Sequence, residues 1–320
     1  MNKTKRRFKK LPSENQALQG YSKLIIRHPK TKYSYKTKTC GARRNKDGNS
    51  FSCYTNKILI ELRNKWNERH PENKIYSTVP IEIWKQYRER LQTVCNDEQC
   101  WMKQPEVYKS NRLREEMKMS FAPEKPDYVN KNEWLSNVDI ANVLKTYEKV
   151  YPCFEFLGPT PIDYDVKTDD SFVCNKIAKF DLNHFIQKGV FKIGIIFNLD
   201  THKQSGSHWV CLFINIKQSM IYYFDSVAAK CNNQIKKLID KIVQQGKNLQ
   251  HPIHFQVEVN KTVHQRKNNE CGVYCLFVIT SLLEDTKTLR DFKINRFTDE
   301  DVYDLRGVFF QKDKGDKRKI

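Results

Sequence analysis

No Cys-x-x-Cys pair occurs among the ten cysteines, no apolar signal core follows the lysine-rich start, and no apolar run is long enough to cross a bilayer. The expectation is an intracellular protein with no membrane segment and with reduced thiols. Acidic residues are scarce at the beginning. Residues 1–50 hold two of them against fifteen Lys or Arg, whereas residues 121–310 hold twenty-three against twenty-four. The net charge of +20 therefore belongs to the ends, in an arm with Lys3, Lys5, Arg6, Arg7, Lys9, Lys10, Arg43, Arg44 and Lys46 and a tail with Lys312, Lys314, Lys317, Arg318 and Lys319. Such segments are either solvated or tethers to nucleic acid or another polyanion. The remaining chain, within 320 residues, is long and apolar enough to bury a full core.

That core has a focal stretch. Asn268 to Cys275, Asn-Asn-Glu-Cys-Gly-Val-Tyr-Cys, leads into an apolar run ending at Leu283. Val273, Tyr274, Leu276, Phe277, Val278, Ile279, Leu282 and Leu283 leave almost no polar face, which predicts a helix covered on all sides with Cys271 in its first turn. The partial positive charge at a helix N-terminus favours thiolate, so Cys271 is either a nucleophile or one more structural thiol, depending on its partners.

Along the chain, Tyr54, Ile58, Leu62 and Trp66 recur at helical spacing up to His70-Pro71. A second helix is predicted from about Ile81 to Val94, capped by Thr78 or Ser77, with Ile81, Trp84, Tyr87 and Leu91 on its apolar face. Cys40, Cys53, Cys95 and Cys100 match no common zinc spacing and read as buried thiols. Pro123 and Pro126 mark a boundary. Beyond it come a helix from about Val138, a central strand within Gly189–Leu199, and two strands, His208–Ile216 and Ser219–Val227, in an antiparallel hairpin. A helix over Asn232–Gln245 with Gly246 as its C-cap, a strand over Ile253–Val259 and a helix over Thr298–Phe310 complete the pattern. If the hairpin is centred between Ile216 and Lys217, Phe213 faces Met220 and His208 faces Asp225, close enough for a carboxylate to hold an imidazole.

These segments supply the parts of a nucleophilic site. Cys271 would attack, His208 would take and return the proton, and Asp225 would orient the imidazole. Gln265, six residues before Cys271, would offer an amide to the developing oxyanion. His184, His202, His254 and His264 have no acidic residue brought opposite them by this register. His264, in the same loop as Gln265, is expected to be exposed. Cys275, one turn beyond Cys271, reads as a packed thiol, and Trp209 as either core packing or a wall of the substrate channel.

The order His208-Trp209, Tyr223-Phe224-Asp225-Ser226, Gln265 and Cys271-Gly272 resembles the SUMO-specific (ubiquitin-like protein) cysteine proteases and their adenovirus proteinase relatives. Trp134-Leu135-Ser136-Asn137-Val138-Asp139-Ile140 looks like the family's entry to the catalytic domain, which implies that Trp134 lies over the substrate's small C-terminal residues. Phe51–Lys57, Cys100-Trp101, Gly158–Asp163 and Gly206–Val210 are similar to segments of the viral thiol proteases, including the African swine fever virus type. The resemblance implies an α+β fold with a central mixed or antiparallel sheet on a buried nucleophile helix, and a helical N-terminal extension. The expected divisions are a poorly ordered arm at 1–48, a helical accessory region at 49–122, a catalytic domain at 123–311 and a basic tail at 312–320.

The implied activity is cysteine endopeptidase cleavage after Gly-Gly or similar small residues in viral polyproteins, with the virion and host cytoplasm (viral factories) as its location. It needs no metal or organic cofactor, although adenovirus relatives imply DNA as an activator through the basic arm. Deconjugation of ubiquitin-like modifiers, and a non-enzymatic nucleic-acid-associated virion protein, are the alternatives.

Overall fold

The structure, a computed structural model, describes residues 39–42, 49–126 and 133–311; the expectations for most of the basic arm and for the tail lie outside them. Among the described residues no helix is long and apolar enough to cross a membrane.

A helical layer comes first. Thr55 accepts the Ile58 N–H and starts α1 (Asn56–Arg69), which buries Ile58, Leu59, Leu62 and Trp66. Helix α2 (Pro80–Leu91) takes Val79 as its N-cap, not Thr78 or Ser77, because Pro80 occupies its first position while the Ser77 hydroxyl accepts the Val79 N–H. Ile83, Trp84, Tyr87 and Leu91 form its buried face, leaving Ile81 on the rim at 37 % exposure. A 3-10 turn (Gln99–Lys103), α3 (Pro105–Tyr108) and α4 (Asn111–Lys118) close the layer; their shortness left no period to read. Two carboxylates lie inside it. Glu98 accepts the Cys53 N–H at 3.1 Å and the Trp84 indole N–H, and Glu106 accepts the Tyr87 hydroxyl at 2.7 Å. Burial pushes the Glu98 carboxyl above its ordinary range, a shift that these hydrogen bonds oppose.

Two expectations are corrected here. Cys40–Cys53 and Cys95–Cys100 are disulfides, with Cα–Cα distances of 5.1 and 5.5 Å, so these four sulfurs are not the reduced buried thiols expected from spacing alone. Residues 39–42 also do not belong to a poorly ordered arm. Cys40 bridges Phe121, the Gly41 N–H reaches Ser120 O, and the Gln311 amide accepts from Thr39 N while donating to the carbonyls of Thr39 and Ala122. Ala42 packs into the core beyond, so this short strap ties the helical layer to the rest of the chain.

Helix α5 (Asn137–Val150) opens the second part, with Ser136 and Asp139 forming a capping box. After it come β1 (Phe154–Phe156), β2 (Thr160–Pro161), α6 (Asn175–Ala178), α7 (Leu182–Gln187), β3 (Lys192–Asn198), β4 (Trp209–Asn215) and β5 (Met220–Phe224). Helix α8 (Asn233–Lys247), β6 (Gln256–Val259), α9 (Cys271–Leu283), α10 (Leu289–Ile294), α11 (Asp299–Asp304) and α12 (Arg306–Phe309) follow. The sheet order is β1-β3-β4-β5-β6, with β2 beside β3. The β3–β4 and β4–β5 pairs are antiparallel and the others parallel, giving the mixed sheet of an α+β fold.

Alternation divides β4 and β5 between two cores. Cys211, Phe213, Tyr222 and Phe224 face α9 and α5, whereas Val210, Leu212, Ile214, Ile221 and Tyr223 face α7 and α8. Every residue of α9 is buried. Gly246 lies within α8 and does not cap it: Asn248 is the C-cap, and a Cβ at 246 would come within 2.8 Å of Ile253 O. The predicted C-terminal helix divides at Leu305 into α11 and α12.

The hairpin register is displaced by two residues from the predicted one. Phe213 faces Tyr222, and Met220 faces Asn215. The turn is longer because Ser219 adopts φ +51° and donates its N–H to Ile216 O, which places it in the turn and not in the strand. A two-residue shift keeps each side chain on its predicted face.

His264 is fully buried, not exposed. Its Nδ1 accepts the Phe297 N–H and its Nε2 donates to Phe292 O, while the ring stacks on Phe297. Burial holds its pKa down at about 4, from an ordinary 6.5. The unfolded chain therefore binds a proton that the folded chain refuses, so stability is intact above 6.5 and falls as pH drops toward 4. At about 1.4 kcal/mol per pH unit the loss is on the order of 3 kcal/mol. Urea unfolding across this window should show that slope, and His264→Gln should flatten it.

Candidate active site

The nucleophile candidate is placed by α9. Cys271 is the helix's first residue, Glu270 is its N-cap without a side-chain cap bond, and the sulfur is almost wholly buried. A Cβ built on Gly272 would meet Leu135 Cβ at 3.1 Å and the Trp209 ring at 3.4 Å, so the Trp134–Leu135 strap lies directly over the start of the helix. Glycine permits that approach.

His208 and Asp225 sit one position outside β4 and β5. In the observed register they are diagonal neighbours and not directly opposed, yet His208 Nε2 lies 2.8 Å from Asp225 Oδ1. A carboxylate can only accept, so Nε2 donates, and Nδ1 is the ring nitrogen left to take a proton. Burial alone would lower the imidazole pKa. The hydrogen bonds and charges of Asp225 and Cys271 outweigh it and carry His208 up to about 9, from an ordinary 6.5. Asp225 is itself held: Oδ1 accepts the Val227 N–H at 2.9 Å, and its carbonyl accepts the Asn260 side-chain amide at 2.7 Å.

Gln265 is buried in the loop before α9. Its N–H and that of His264 both reach Ser226 O at 2.9 Å, and its Oε1 accepts the Ser226 hydroxyl at 2.6 Å. Its Nε2 gives one hydrogen to Lys267 O at 2.5 Å, and no bond to the second is found among the described residues. Acceptor and donor are thus sorted: the oxygen is tied back to β5's end, and the NH2 points into the loop that leads to Cys271.

This geometry has counterparts among known proteins. Residues 188–316 match the Ulp1 protease family, C-terminal catalytic domain. That stretch holds His208, Asp225, Gln265 and Cys271 and is similar to an Ulp1-family cysteine protease domain. It is similar to the protein named "Putative thiol protease R355" of Acanthamoeba polyphaga mimivirus, 28% identical over 295 residues that cover 85% of this chain and 93% of that one. It is also similar to a cysteine protease of African swine fever virus, 26% identical over 243 residues, covering 70% and 86% respectively. A crystal structure of the African swine fever virus protease has the same fold, with a TM-score of 0.56 and 20% identity over 85% of this chain and 95% of that one.

Within the matched stretch the four polar candidates come from three places along the chain: the two hairpin ends, the loop before α9, and α9 itself. Trp134 is 38 % exposed at the rim, whereas Trp209 is 7 % exposed and donates its indole N–H to Leu135 O at 3.0 Å. Trp209 therefore packs in the core and fixes the strap. Cys275 is a buried thiol, raised well above its ordinary pKa by burial and by its hydrogen bond to Cys211. Ser226 and Asn260 were missed as supports. Ser226 stands next to Asp225 in sequence, but its partner Gln265 lies in another segment.

A histidine held between Asp225 and Cys271 should titrate late. Following the His208 imidazole by proton NMR should give a midpoint near 9, and Asp225→Asn should bring it back toward 6.5 by leaving burial less opposed.

Proposed function

We propose that this chain is a cysteine endopeptidase that cleaves viral structural polyproteins after Gly-Gly or similar small residues, acting in the virion and host cytoplasm. The observation that carries the reading is His208 held by Asp225 at 2.8 Å, with Cys271 at the first position of α9 among the groups that raise the imidazole pKa. His208 takes the Cys271 proton as the nucleophile attacks. The thiolate adds to the scissile carbonyl, and the oxyanion takes hydrogen bonds from the Gln265 Nε2 hydrogen left uncommitted and from the Cys271 N–H. Imidazolium gives its proton to the leaving amine as the tetrahedral species collapses to a thioester. His208 then takes a proton from water, which attacks the thioester and frees the carboxylate and Cys271.

Preference for small residues is supported by the strap. Leu135 packs against the residue after Cys271 and Trp134 stands exposed beside it, which leaves a narrow path for the substrate chain. The viral relatives named thiol and cysteine proteases support a protein substrate. Some African swine fever virus relatives bear the name SUMO-1 cysteine protease, which supports a second reading in which a ubiquitin-like conjugate is cleaved. The basic arm, in either reading, is a tether to nucleic acid, with DNA as an activator of cleavage.

The test is cleavage of a Gly-Gly-X peptide set and of a ubiquitin-like fusion, by wild type and Cys271→Ala, with and without DNA. Peptide cleavage that is lost in Cys271→Ala is the expected result, with DNA raising the rate. Cleavage of the folded fusion alone would establish the deconjugating reading instead. No cleavage by wild type under any condition would overturn both and leave a non-enzymatic nucleic-acid-binding role.

A further inference from the structure

The loop from Gln265 to Cys271 has no regular structure of its own, yet it must hold an amide and a sulfur in register. Neither end is secured by the loop alone. At its beginning, Asp299, buried at the start of α11, accepts the Arg266 N–H at 3.0 Å and the Lys267 N–H at 3.1 Å through the same Oδ2. Its other oxygen lies 3.4 Å from the Tyr274 hydroxyl, in the first turn of α9, which also reaches Phe297 O at 3.0 Å. Lys267, whose N–H Asp299 holds, is the residue whose carbonyl receives the Gln265 amide.

The far end is gripped by Arg306, the first residue of α12. Its Nε donates to Glu270 Oε2 at 2.9 Å, and its Nη2 to Glu133 O at 2.8 Å and Asn269 O at 3.4 Å. Glu270 and Asn269 immediately precede Cys271, and Glu133 immediately precedes Trp134. The guanidinium and carboxylate are only 13 % and 6 % exposed, and the planar fork reaches its three acceptors from two separate nitrogens, which a single ammonium does not reproduce. Burial raises the Glu270 carboxyl, and the Arg306 charge opposes that rise. Tyr303, on α11, lies under the guanidinium at 6.0 Å. The short segment from Asp299 to Arg306 therefore spans the whole loop from outside it.

We propose that Asp299 and Arg306 are positioning residues that set the oxyanion loop 265–271 and the Trp134 strap relative to Cys271. The proposal deepens the functional reading above and rests on it. Neither residue touches the reacting atoms. Both act through the placement of Gln265, which matters when charge develops on the carbonyl oxygen and not when the thiolate reacts with other electrophiles.

That distinction gives the test. Alkylation of Cys271 by iodoacetamide is a displacement at carbon that expels iodide and develops no oxyanion, so it reads the Cys271–His208 pair alone. Peptide cleavage reads that pair together with the oxyanion loop. Arg306→Lys and Asp299→Asn, each compared with wild type, should lower kcat for a Gly-Gly-X peptide about tenfold or more while KM changes less than about threefold, given that losing one oxyanion donor costs about a hundredfold. The alkylation rate constant should stay within about threefold of wild type. A Gly-Gly peptide aldehyde, which adds to Cys271 as a tetrahedral hemithioacetal, should lose affinity by the same factor as kcat.

Parallel loss of alkylation and cleavage would overturn the proposal in favour of general collapse of the site, as would unchanged kcat in both variants. Should wild type fail to cleave, or Cys271→Ala retain cleavage, the functional reading falls and this inference with it. Wild-type cleavage with unaltered variants sinks the inference alone.

Discussion

Burial of α9 against the sheet is the constraint on which the rest of the chain depends. All thirteen residues from Cys271 to Leu283 are inside, and Val273, Leu276, Phe277, Val278, Ile279, Leu282 and Leu283 each contribute roughly 1.5–3 kcal/mol of gross burial energy. A helix with no polar face must be enclosed on every side. Strands β4 and β5 close one side through Cys211, Phe213, Tyr222 and Phe224, α5 closes another through Ile140, Val143 and Leu144, and Phe292, Phe297 and Val302 from the C-terminal segment close a third. Lys192 reaches the far end of α9 to satisfy the Leu282 and Leu283 carbonyls. The sulfur of Cys271 is held in place by an element buried along its whole length.

The same enclosure explains the electrostatics around that sulfur. Low exposure should suppress charge at His208, yet the carboxylate of Asp225 and the neighbouring Cys271 reverse the effect, and the imidazole is drawn up to about 9. His264 shows the contrast: more fully enclosed and without a carboxylate partner, it stays neutral with a pKa of about 4 and serves as a hydrogen-bonded core residue. Two histidines in related surroundings are separated by one acidic side chain. This is the difference between a group that can move a proton and one that only fills space.

The helical layer is organised by different means. Its aromatic cluster of Tyr54, Trp66, Tyr87 and Trp101 surrounds the buried carboxylates Glu98 and Glu106, and two disulfides replace part of the apolar area that a small layer lacks. Its attachment is narrow in sequence but well bonded. Residues 39–42 and Gln311 join segments 272 positions apart through hydrogen bonds between Thr39 and Gln311, and Ala42 enters the core that α9 anchors.

Much of this was legible in the chain because it is local. The apolar run after Cys271, the helical spacing of Ile58, Leu62 and Trp66, and the turn-separated strands ending in His208 and Asp225 all follow from periods of 3.6 and 2. The pairing of His208 with Asp225 was anticipated although the register was not, because a two-residue slip leaves every side chain on its face and a diagonal pair still reaches. The turn residue Ser219, with its positive φ, decided that slip. Contacts without a period were invisible. The Cys40–Cys53 and Cys95–Cys100 disulfides, the burial of His264, the core position of Trp209 and the grip of Asp299 and Arg306 on the loop before Cys271 join segments whose separation carries no pattern. The sequence by itself determined which residue types could do the chemistry and on which elements they ride, since hydrophobic periodicity is a property of neighbours. Only the tertiary structure decided which of them meet and what holds them there, since burial and hydrogen bonding depend on distances through space.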